Sequence, residues 1–168
     1  VALEPLDLSR YDRGRGLETT GQAVQGIGFA CLLFGGTFAA VGTLEQDPGF
    51  SAAGEVLTQI SFASLAVGTP LLSAGALTTS RGLREAGFRS SAVPASLSVA
   101  GAALTSAGLV GVAGRQVDTT EEWVSTGVLL LGVFVNQSLV SLQNRQDRPF
   151  HQQIHRHRLG QRLGSLHY

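Results

Sequence analysis

Four stretches of this chain carry no charged side chain, and each is long enough to cross a lipid bilayer: residues 19–44, 56–80, 90–114 and 123–144. A hydrocarbon core about 30 Å thick is crossed by a helix of roughly 20 residues. Every Arg, Asp and Glu falls in the five segments outside these stretches. A helix at the surface of a soluble bundle keeps a polar face at helical spacing, and none of the four stretches has one. The sequence therefore predicts an all-α integral membrane protein, a four-transmembrane-helix antiparallel bundle with short loops.

The bulk composition conceals this. Mean hydropathy is only +0.19, because apolar spans are averaged with termini and loops rich in Arg, Gln, His, Asp and Glu. The spans are diluted further by Gly, Ala, Ser and Thr. At 168 residues one bundle is the natural unit. It is flanked by an N-terminal segment, 1–18, and a basic His/Arg-rich tail, 145–168. The first residues are acidic and lack the basic start and apolar run of a signal peptide.

The arginines give an orientation. They number three before the first span, none in the first loop, three in the second, one in the third and five in the tail. Positive charge is retained on the cytoplasmic side, so both termini and the second loop are expected there, with four spans returning the chain to its starting side. Trp123 falls where a span enters the opposite interface, a usual place for Trp. The expected location is a bacterial inner membrane, or an organellar inner membrane of matching polarity. The first loop, 45–55, contains Asp47-Pro48-Gly49, a turn signal. Such short connections make sequential helices neighbours.

Small residues recur at four-residue spacing: Gly36 and Ala40, Ser64 and Gly68, and Ala103, Ala107 and Gly111. Such ridges let backbones approach in lipid, where helices gain nothing from hydrophobic burial against one another. They are expected to serve packing within the bundle or contact with a partner. The first two spans also resemble each other at an offset of 33 residues, where Gly21, Gly35 and Gly42 match Gly54, Gly68 and Gly75. Pro70, in mid-span after Gly68-Thr69, predicts a kink.

No ionisable side chain lies inside a span. Proton relays, ion pathways and counter-ions require such groups at depth. The polar exceptions are amides, above all Asn136 and Gln137 in the middle of the fourth span. These must find partners across the bundle or in a neighbouring subunit, or line a pore. In the tail, His151 and His155 share a helix face at metal-ligand spacing, but no carboxylate or thiolate completes a set and arginines surround them. The single cysteine, Cys31, excludes an intrachain disulfide. No metal and no cofactor is expected, and nucleophile elbows, zinc-protease motifs and phosphate loops are absent.

Arg145, Arg148, Arg156, Arg158 and Arg162, interleaved with apolar side chains, make the tail a candidate amphipathic segment for anionic lipid headgroups or a partner. Nucleic acid is not an expected partner, because topology already accounts for these arginines. The sequence thus reads as a non-catalytic integral membrane subunit of a larger complex, with a homo-oligomer possible. The alternative is a small oligomeric channel or transporter lined by polar residues of the spans.

Overall fold

The computed structural model describes residues 7–113 and 119–164, with side chains described up to 112 in the third helix, from 124 in the fourth and no further than 160. These residues form four helices: α1 (Ser9–Glu45), α2 (Pro48–Glu85), α3 (Val93–Ala113) and α4 (Thr119–Gly164). All four are long and apolar enough to cross a membrane, the mark of an integral membrane protein. Large apolar side chains face outward, among them Leu33, Phe34, Val110 and Phe134, each more than 60% exposed. Water would penalise that surface and lipid does not.

The turn between α1 and α2 is shorter than the sequence suggested. Asp47-Pro48-Gly49 is not a turn inside a loop but the start of a helix. Asp47 is the N-cap, its carboxylate accepting from the Gly49 N–H at 2.8 Å, and Pro48 is the first helical residue. Proline is favoured there because its missing N–H belongs to the first turn, where no intrahelical partner exists. Only Gln46 and Asp47 separate the helices, and Gln46 takes a left-handed φ of 55° to close α1. The other end of α2 closes in a Schellman motif: Gly87 has φ +85°, Phe88 N–H bonds the Leu83 carbonyl, and Gly87 N–H bonds that of Arg84. Phe88 then packs back on Leu83. Helix α2 runs unbroken through Pro70.

A heptad of small residues brings α1 and α2 together. Gly14, Gly21, Gly28, Gly35 and Gly42 recur every seventh residue on α1, facing Gly54, Ser61, Gly68, Gly75 and Gly82 on α2. A Cβ placed on Gly21 would lie 2.6 Å from the Leu72 nitrogen, and one on Gly75 would lie 2.5 Å from the Glu18 nitrogen. No side chain fits between these backbones. The contacts run from Gly42 against Ser51 beside the turn, through Gly14 against Thr79, to Gly82 against Tyr11. The 33-residue likeness of the first two spans is this heptad, carried by both helices in the same register. On the other pair, Gly101 meets Gly132 and Asn136, and Gly108 meets Leu129.

Helix α2 is central and touches the other three, whereas α1 makes close backbone contact only with α2 among the described residues. Helix α1 has 37 residues and α4 has 46. At 1.5 Å per residue both far exceed a 30 Å hydrocarbon core. The excess gathers at one end. Tyr11 of α1, Leu83 of α2 and Ile154 of α4 form a small core with Leu8, Phe88 and Phe150 around it. Most of the N-terminal segment and of the tail are thus continuations of α1 and α4, packed together as a headpiece.

Candidate functional site

Two buried polar clusters lie between the helices, separated by an apolar layer. The inner cluster is built of amides and hydroxyls. Asn136, with none of its surface exposed, donates through Nδ2 to Ser73 Oγ and, at 2.9 Å, to the Ser98 carbonyl. Ser73 Oγ also donates to that carbonyl at 3.1 Å. One side chain of α4 thereby ties α2 to α3. Gln137, the next residue, turns toward α1 and donates to Gln25 Oε1 at 2.9 Å, while Gln25 donates to Thr69 Oγ1 at 2.8 Å. Thr69 in turn donates to the Leu65 carbonyl in its own helix. The amide pair singled out in the sequence is therefore divided, one member serving α2 and α3 and the other α1.

Substituting Asn136→Leu is expected to lower stability by about 1 kcal/mol, a usual size for interhelical hydrogen bonds in lipid. Outward-facing Ser138→Leu should have no such effect. Unfolding in graded mixtures of mild and denaturing detergent measures both, and equal loss from the two would remove Asn136 from any structural role.

The outer cluster lies toward the headpiece. Asp147 is 1% exposed; its Oδ2 accepts from Ser90 Oγ at 3.0 Å and from Gln143 Nε2 at 2.5 Å. Gln143 Oε1 meets the Ala95 N–H in the first turn of α3. That turn has N–H groups without intrahelical acceptors and a partial positive charge, so a carboxylate and an amide oxygen suit it. On the facing side Glu18, 2% exposed, accepts from Arg15 at 2.6 Å, and Arg15 also donates to Asn144 Oδ1 at 3.2 Å. One turn farther out, Tyr11 OH lies 2.9 Å from His151 Nδ1. Burial pushes the Tyr11 hydroxyl up and the His151 imidazole down, with Arg15 adding to the lowering at His151. Both shifts favour a neutral pair in which the phenol donates and the imidazole accepts. At the rim, Arg158 bonds both oxygens of Asp12 and Arg10 bonds Glu85.

The interior is thus layered. Leu65, Leu129 and Val133 form one apolar cluster; the amide cluster follows, then Leu72, Ala76, Ala95 and Val140, then the carboxylates, then the headpiece core. Within the layers the polar groups bond one another, although Asn136 Oδ1 and Asp147 Oδ1 have no partner among the described residues. Helix periodicity accounts for the alternation, since positions 129, 133, 136, 140, 143, 147, 151 and 154 all fall on the inward face of α4.

The small residues singled out at four-residue spacing divide differently from the heptad. Gly68 is buried against α1, with Gln25 and Gly21 beside it, and Ser64 is half-buried. Gly111 lies against Ser125 of α4. Gly36 and Ala40, and Ala103 and Ala107, face outward, and nothing lies within 4 Å of the position a Gly36 Cβ would take. The packing glycine of α1 is its neighbour, Gly35. A seven-residue search would have found the heptad, whereas a four-residue search selects residues on both sides of the helix.

In the tail, Arg145, Arg148 and Arg156 are exposed and Arg158 is bound to Asp12; the side chain of Arg162 and that of Trp123 lie outside the described residues. His155 is exposed while His151 is half-buried. No group of three His, Cys, Asp or Glu side chains suited to a metal ion occurs among the described residues. Glu18 and Asp147 carried no signal in the sequence beyond lying just outside the spans. Phe134, Gln137, Ser138, Ser141, Leu142 and Arg145 line an open groove of about 510 Å³ along α4. Comparison with protein-family models, curated proteins and solved structures gave no match.

Proposed function

We propose that this chain is a non-catalytic integral membrane subunit, an antiparallel four-helix bundle that packs into a larger membrane assembly. The observation that carries this reading is the outward set of small residues. Gly36 and Ala40 on α1, with Ala103 and Ala107 on α3, leave shallow faces that the bundle's own packing does not use. Lipid gains little from such faces, and another helix gains close van der Waals contact. The contact pairs that run from Gly42–Ser51 to Gly14–Thr79 support the antiparallel order of the first two helices. The arginine alternation supports termini on the cytoplasmic side of a bacterial inner membrane. Exposed Arg145, Arg148 and Arg156 then meet anionic headgroups or a partner's acidic surface.

The layered interior favours contact over conduction. Apolar clusters separate the polar ones within the bundle, which opposes a continuous polar path through a single copy. A channel would have to form between copies, and the α4 groove with Gln137, Ser138 and Ser141 on its wall is the feature that favours this second reading.

Extraction in a mild detergent followed by native mass measurement separates the two. A subunit is expected to run with other proteins, and Gly36→Leu with Ala40→Leu should release it as a folded monomer. A closed homo-oligomer of the pure chain, unaffected by that pair of substitutions, would sink the subunit reading and favour the channel.

A further inference from the structure

The junction between the start of α1 and the extension of α4 contains a histidine with an unusual set of neighbours. We propose that His151, held between Tyr11 and Asp147, is a proton-binding site that sets whether the first turns of α1 stay docked on α4.

The geometry supplies three observations. Tyr11 OH bonds His151 Nδ1 at 2.9 Å and the rings lie 5.6 Å apart, so this one pair spans α1 and α4. Second, His151 Nε2 is buried and has no hydrogen-bond partner, and the same is true of Asp147 Oδ1. A neutral imidazole that accepts at Nδ1 carries its proton on Nε2. A donor and an acceptor, each unpaired, thus lie one helical turn apart on one face of α4. Third, α1 has no close backbone contact with α4 among the described residues. Its docking on α4 depends on side-chain links: Tyr11 to His151, Arg15 to Asn144, Asp12 to Arg158 and Gln25 to Gln137.

The charged groups around the ring act in opposite senses. Arg15 of α1 opposes protonation; Glu18 of α1 and Asp147 of α4 favour it; burial opposes it most. Helix α2 contributes apolar Leu83 to this core; of its charges at this end, Glu85 is bound to Arg10, and Arg81 and Arg84 are exposed. The sign follows. A histidine whose folded form holds its proton more weakly than the unfolded chain stabilises the docked state fully above the ordinary value of 6.5. That contribution falls as pH drops below it, because undocking then takes up a proton. A protonated ring donates from both nitrogens, so the phenol must turn from donor to acceptor, and the docked state must hold a charged ring in a site whose burial opposes it. Acid therefore loosens the end of α1 from α4, while Gly82 of α2 still packs on Tyr11, and neutral pH restores the docking.

Hydrogen–deuterium exchange of the full chain in lipid nanodiscs tests this, read on the peptide covering residues 8–18 and corrected for intrinsic rates. In the wild type, protection should fall between pH 7.5 and pH 5, because undocking then takes up a proton. His151→Gln, which keeps an acceptor for Tyr11, should be flat over that range. Asp147→Asn should shift the midpoint to lower pH, because it removes a charge that favours protonation. A wild type as flat as His151→Gln would overturn the proposal, as would a His151→Gln variant that titrates like the wild type. NMR titration of the wild-type histidines reads the site without any substitution. His151 should titrate below the ordinary value of 6.5, and a midpoint above it would overturn the proposal as well.

Discussion

Gly21→Val should separate α1 from α2, whereas Gly36→Val should leave the fold intact. The two substitutions are chemically identical and lie on the same helix. A Cβ at Gly21 would come within 2.6 Å of the Leu72 nitrogen and 3.0 Å of the Gly68 carbonyl oxygen, whereas at Gly36 it meets nothing within 4 Å. The obstacle at Gly21 is backbone, which cannot rotate away as a flexible side chain can, so the helices must move apart along the interface. Overpacking against a yielding core costs about 1–3 kcal/mol, and a rigid contact repeated along two helices exceeds that range. The loss of stability is expected to be above 3 kcal/mol at Gly21 and within about 0.5 kcal/mol of zero at Gly36. Detergent-titrated unfolding gives both values. Equal tolerance of the two valines would show that the heptad does not hold α1 to α2.

Arg15→Gln should be the most damaging single change at the headpiece. Glu18 is 2% exposed, packed against Gly75, and its carboxylate accepts from Arg15 at 2.6 Å. Removing the cation leaves a buried carboxylate without its charged partner. Orphaning one member of a charged pair costs more than the pair contributes, because desolvation of the remaining charge is no longer offset. Arg15 is itself 41% exposed, so solvent screens part of the interaction and the expected loss is about 2 kcal/mol. The double variant Arg15→Gln with Glu18→Gln should recover most of it, since the buried charge is then gone. A double variant no more stable than Arg15→Gln alone would show that Arg15 acts through Asn144 rather than through Glu18.

These two positions show how unevenly the sequence reveals the structure. The heptad of Gly14, Gly21, Gly28, Gly35 and Gly42 is written plainly in the chain, yet glycine is frequent enough that four-residue spacings compete with it. Only the facing helix separates Gly35, which packs, from Gly36, which does not. Asp47-Pro48 is ambiguous for a different reason. Asp and Pro favour both turns and helix starts, and the two-residue connection is decided by how closely the glycine faces allow α1 and α2 to approach. Glu18 and Asp147 lie just past the uncharged stretches and read as solvated flanks. They are buried because α1, α2 and α4 extend beyond the span limits and pack on one another around Tyr11, Leu83 and Ile154.

The uncharged stretches by themselves determined that the chain has four helices able to cross a membrane, with no ionisable group within those stretches. The reason is additive: transfer into lipid is a sum over the residues of one segment and needs no knowledge of its neighbours. Tertiary structure alone decided which glycines are contacts, that Asn136 and Gln137 serve different helices, that a carboxylate of the basic tail is buried against Ser90 and Gln143, and that a histidine of the tail meets Tyr11 of α1. Those properties depend on which faces meet. A face exists only once the rotation and register of two helices are set, and those are fixed by packing between segments rather than by the composition of either.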